Sequence, residues 1–183
     1  MATVVSEMPA DRSDFSSAIQ GLLAGPAGTM AEMPLVPSAP RETAQLEHLR
    51  SMSADDLFDG GPIVRRDYAE CVRSGLYLYF SALDESHGIS QRISTATGSY
   101  WHGIMHRQEG DWSNAKYWFR RVGSHPVYAN IESETGASWD PFQFVDDCAV
   151  ASSDGLGRAR ALELQMLEWR LLMRHCYRRA LGL

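Results

Sequence analysis

The stretch GSYWHGIMHRQEGDWSNAKYWFRRVGSHP, from Gly98 to Pro126, constrains this chain more than any other. Gly110 ends a helix-forming run, at the place where a left-handed residue costs least. Asp111 follows, and its side chain suits the cap of a second helix. That helix extends to about Val122, where Gly123 stops it. With Thr97 or Ser99 capping the first rod, the stretch predicts an αα-hairpin over about 99–122. Rods joined so tightly must lie antiparallel, and the rest of the chain must pack around them.

The rest of the sequence is also helical in pattern. Tyr68, Val72, Leu76, Phe80 and Leu83 recur every three or four residues, as a buried helix face requires, and His87 is the next step on that face. PRETAQLEHLRS predicts a helix, followed by a short one at SADDLF with Ser53 as its cap. Asp140-Pro141 is a cap followed by a favoured first helical residue, so a helix should run to about Ala151. After the SSDGLG loop, a last helix over about 157–181 should bury Leu162, Met166, Trp169, Met173 and Cys176. Its opposite stripe, Arg170, Arg174 and Arg178, should face water. No segment alternates with period two, so no strand is expected. The fold class is all-α: a compact helical bundle with a central hairpin and a long C-terminal helix, forming a single domain over 41–183.

Residues 1–40 read differently. Pro26, Pro34, Pro37 and Pro40 remove backbone donors from GPAGTMAEMPLVPSAP. Asp14 could cap a short helix carrying Phe15, Ile19 and Leu22. Otherwise the segment reads as a Pro/Ala-rich arm, lying across its own domain or across a partner subunit in a homodimer.

Composition sets the outer bounds. A chain of 183 residues with 44% hydrophobic content can bury one domain's core. No run is long enough to span a membrane, and no basic start followed by an apolar run suggests a signal peptide. Cys71, Cys148 and Cys176 show no motif spacing, which predicts buried thiols in a cytoplasmic protein. Net charge is −6, unevenly spread. Residues 126–154 hold six acids and no base, whereas 155–183 hold six Arg against Glu163 and Glu168. Residues 100–125 are also basic. An acidic whole argues against nucleic-acid binding. The basic islands either receive a small anion or pair with the acidic segments.

The stretch Gly98–Pro126 gathers the chemistry. It holds three of six His, three of five Trp and the single Lys, Lys116, in a chain with sixteen Arg. At about 100° per residue, His102, His106 and Glu109 fall within roughly 60° of one another. With His87 on an apolar face nearby, three imidazoles should point into one interior. Leaving a buried polar group unpaired costs about 1–3 kcal/mol, so each ring needs a partner. Three arrangements supply one. His87, His102, His106 and Glu109 could hold Zn or Fe, although Gly103 stands where the zinc-protease pattern needs Glu. Alternatively, Trp101, Arg107, Asn114, Tyr117, Arg120, Arg121 and His125 could line a pocket for a small polar or anionic molecule. His102, His106 and Lys116 would then do acid–base work there. Or the polar groups merely satisfy each other in a structural network. No nucleophile elbow and no phosphate-cradling glycine loop is present.

The hairpin resembles one tetratricopeptide-type repeat: Gly103, Gly110, Trp112, Ala115 and Phe119 keep that pattern's steps. Pro126 falls one residue short of the usual proline, and no second copy follows. That resemblance implies a helical interaction or dimerisation module, an alternative to a ligand-binding protein. The motif Trp101, His102, His106, Arg107, Glu109, Asp111, Asn114, Ala115, Lys116, Tyr117, Trp118, Phe119, Arg120, Arg121, Val122, Gly123, His125 and Pro126 also resembles a signature of an uncharacterised family of bacterial and fungal proteins. That resemblance implies no activity.

Overall fold

In the computed structural model, residues 14–25 and 30–183 are described, and among them the chain is all-α without a strand. The elements are α1 (Ser17–Leu23), α2 (Ala44–Ser51), a 3-10 turn (Asp56–Phe58), α3 (Arg66–Tyr79), α4 (Leu83–Ser90), α5 (Ala96–Glu109), α6 (Trp112–Val122), α7 (Pro126–Thr135), α8 (Pro141–Ser153) and α9 (Arg158–Ala180).

The expected hairpin is α5 and α6. Gly110 takes φ +80°, and the Asp111 carboxylate accepts from the Asn114 N–H at 3.0 Å. Thr95 caps α5, one turn or less before the residues the sequence suggested. Asp140 caps α8 as expected. Helix α7 was not expected at all. His125 caps it, accepting from the Val127 N–H, and Pro126 is its first residue.

The apolar face expected to run from Tyr68 to His87 is divided between two helices. Helix α3 ends at Tyr79, and Ser81 adopts φ +58°. The Ser81 N–H donates to Leu78 O and the Ala82 N–H to Tyr77 O, the bond pair of a Schellman turn. A serine stands where glycine is usual, which hides the stop in the sequence. The chain then reverses, and α4 packs back on α3, with Ser74 Oγ 2.8 Å from Ser86 Oγ.

α3, α5 and α9 meet around the two innermost tryptophans. Trp169 donates Nε1–H to Gly75 O at 2.7 Å, and Trp101 donates to Cys176 Sγ at 3.4 Å. A Cβ at Gly75 would lie 2.5 Å from Met173 Sδ and 2.7 Å from the Trp101 ring, so only glycine lets these helices approach. All three thiols are buried, as expected.

Residues 1–13 and 26–29 of the expected arm, Pro26 among them, lie outside the described residues. The described parts are packed against the helices. Ile19, Leu22, Leu23, Met33 and Leu35 are buried, and Gln165 Nε2 donates to the carbonyls of Met33 and Pro34. Ser16, not Asp14, caps α1. The expected water-facing stripe on α9 is only partly so: Arg170 and Arg174 reach Glu134 of α7. With Lys116–Asp146, these contacts pair basic islands with the acidic 126–154 segment. No described helix is long and apolar enough to cross a membrane.

Candidate functional site

Helix α5 is the floor of the site. α4 and α6 both pack on it, and no extended contact joins α4 to α6 among the described residues. His102 and His106 are one turn apart on α5, so they point together into the gap between its neighbours. His87 enters from α4. The ring centroids of His87 and His102 are 4.7 Å apart, those of His102 and His106 4.8 Å, and those of His87 and His106 5.7 Å. Ligand nitrogens of the three lie within 4.8 Å of one another. His102 is 2% exposed and His106 6%, while His87 is half-buried on the solvent side.

Side-chain partners hold the two buried rings. The Ser90 hydroxyl lies 3.0 Å from His102 Nδ1 and 3.5 Å from His87 O. The Glu109 carboxylate, 2.9 Å from His106 Nδ1, can only accept. Both buried rings therefore have a side-chain oxygen partner at Nδ1. The Asn114 amide donates to His106 Nε2 at 3.1 Å. An oxygen partner behind one ring nitrogen is the arrangement that orients ligating imidazoles in metal sites. Burial, then the neighbouring His106, His87 and Arg121, pushes His102 down to about 3. It is therefore neutral at ordinary pH, the form in which imidazole binds metals.

A tetrahedral ion with bonds near 2.0–2.1 Å needs its nitrogens roughly 3.3 Å apart. The rings would close by about 1.5 Å at most, within reach of small χ rotations, with Asn114 yielding Nε2. Glu109 stands behind His106 as its hydrogen-bond partner. It also forms a second, exposed group of donor atoms with His106 and Asp111. Trp118 walls the site, its ring 3.9 Å from that of His102.

Several residues expected at this cluster lie elsewhere. Lys116 ion-pairs with Asp146 of α8 at 2.6 Å, because it projects from α6 about 200° away from Asn114. It cannot serve as the cluster's acid or base. Trp101 is core, and Trp118 is the wall. Arg107 projects about 100° around α5 from His106, sealed at 0% exposure against Glu168 and over the Phe144 ring. His125 Nε2 pairs with Thr97 Oγ1 at 3.1 Å, and its ring is 5.0 Å from that of His175. Tyr117 and Arg120 are exposed on α6. Asn114 and Arg121 do lie beside the cluster.

Ser90 was missed, although it sits three residues after His87 on the same helix. Arg107–Glu168 was missed as a pair, since 61 positions separate them. Around this pair, Arg107 Nε and Nη1, Glu168 Oε1 and Tyr100 Oη have no partner. The broader surface hollows are away from the imidazoles: one of about 690 Å³ between residues 30–32 and α9, another of about 610 Å³ between α3 and the α4–α5 turn. No protein-family model, curated protein or solved structure matches this chain.

Proposed function

We propose that this protein is a metal-binding helical protein whose three-imidazole centre holds a divalent transition ion, zinc or ferrous iron. The remaining coordination positions would face the gap between α4 and α6 and act on a small polar molecule. The observation that carries this reading is the convergence of His87, His102 and His106, with an oxygen partner at Nδ1 of each buried ring. Three imidazole nitrogens with an open fourth position match the donor count of catalytic rather than structural zinc sites. When bound, such an ion acidifies a coordinated water and polarises a ligand oxygen. Glu109, hydrogen-bonded to His106 and partly exposed, is placed to take up a proton at the rim.

The test is metal analysis of untagged protein. About one zinc or iron per chain is expected, lost in His102→Ala/His106→Ala and, without disturbing the core, in His87→Gln. Substoichiometric metal that is the same in all three proteins would overturn the reading. A second reading is favoured by the Ser90, Glu109 and Asn114 bonds, which already satisfy the two buried rings: the cluster would then only hold α4, α5 and α6 together. In that case removing His87 changes stability and leaves metal content unchanged.

A further inference from the structure

The inference concerns what the centre receives, and it rests on the metal reading above. Helix α6 turns Asn114, Trp118 and Arg121 to one side, at spacings of four and three. Asn114 touches His106, and Trp118 stacks on His102. Arg121 continues the stripe: its guanidinium carbon is 4.8 Å from the Trp118 ring centroid, and its Nη1 donates to Tyr117 Oη at 3.3 Å. An aromatic face and a phenol therefore hold this exposed side chain in place.

Its charge is uncompensated. Half of the described Lys and Arg residues, Lys116, Arg50, Arg66, Arg107 and Arg170 among them, have a carboxylate within ion-pair distance. Arg121 has none among the described residues, and it sits on the Trp118 ring whose own neighbour is His102. The nearby carboxylates, Glu109 and Asp111, lie at the other end of the hairpin. Seven residues along α6 separate Asn114, beside His106, from Arg121, a rise of roughly 10 Å. The site is thus polarised: acid at one end, three imidazoles in the middle, a positioned guanidinium at the other.

We propose that the centre takes a small molecule bearing an oxyanion, a carboxylate or phosphate, and that Arg121 is the residue that anchors it. A planar guanidinium grips such a group with two parallel hydrogen bonds. An anion held there places the adjoining part of the molecule over the imidazoles, with Trp118 as the wall between.

The experiment uses the full chain loaded with cobalt(II), whose visible band reports both loading and changes in coordination. Inorganic phosphate and the neutral ligand imidazole are titrated separately at constant ionic strength, into wild type, Arg121→Gln and Arg121→Lys. Phosphate is expected to shift the band in wild type, with affinity falling about tenfold or more in Arg121→Gln and less in Arg121→Lys. Imidazole should bind all three proteins alike. Equal phosphate affinity in wild type and Arg121→Gln, or no response to phosphate in a loaded protein, overturns the anchor and leaves the metal centre standing. Failure of wild type to show a cobalt band overturns the centre itself, and the anchor with it.

Discussion

Helix α5 carries two polar stripes on nearly opposite sides, and they differ in what they leave open. One stripe is His102, His106 and Glu109. The other is Thr97, Tyr100 and Arg107, closed by His125, Tyr128 and Glu168. On the sealed side, charge meets charge at zero exposure, and a histidine is fixed at both nitrogens. On the open side His102 is held neutral by burial, three rings converge beside a gap, and the ring that completes the set is half in water. Consecutive residues, His106 and Arg107, belong to different stripes. Polar chemistry on a helix is therefore not one site, and the side with spare capacity toward solvent is the candidate for function.

The largest test of that contrast is Arg107→Ala, which strands Glu168 without its partner. It should cost about 3–5 kcal/mol in urea unfolding. Arg107→Met with Glu168→Leu should recover most of the loss, and a double variant as unstable as the single would contradict the sealed-pair account. Metal content per folded chain should not move in either.

Next comes acid. Burial, then His175, holds His125 down to about 4, below the ordinary 6.5. The unfolded chain therefore takes up this proton first as pH falls. Stability from His125 is complete above about pH 6.5 and drains away toward pH 4, by at most about 3 kcal/mol. His125→Asn, which keeps a capping acceptor, should flatten that part of the pH–stability curve. A curve unchanged in shape would remove His125 as the cause.

On the open side the signature reverses. Ser90→Ala removes the hydroxyl behind His102 and should weaken cobalt or zinc affinity about 10–100-fold, with a stability change within about 1 kcal/mol. A large stability loss with unaltered affinity would merge the two stripes into one structural network. The smallest effect sits at the turn that delivers His87. Ser81→Gly relieves a left-handed non-glycine residue and deletes a buried, unpartnered hydroxyl, so it should stabilise by about 1 kcal/mol. Destabilisation would mean that the Ser81 side chain is needed for packing.

Much of the hairpin and of the open stripe was legible in the sequence. Gly110 and Asp111 are local signals, and the shared face of His102, His106 and Glu109 follows from helical angle alone. Lys116 was also legible by angle, but its scarcity in the chain outweighed its direction. Helix α7 was overlooked although His125-Pro126 has the same cap-then-proline form as Asp140-Pro141, because a histidine cap is unusual. The α3–α4 reversal escaped because a serine occupies a position that glycine normally marks. Pairings such as Arg107–Glu168 and Thr97–His125 depend on how distant segments cross, which periodicity within one helix does not encode.

Gly75 fixes more than a close approach. The backbone of α3 rests directly on the ring of Trp101, and Trp101 immediately precedes His102 in the chain. Any larger residue at 75 would have to push that rod aside, carrying both of its imidazoles out of line with the third. The alignment of the three rings is thus set from across the molecule, by the absence of a single carbon atom.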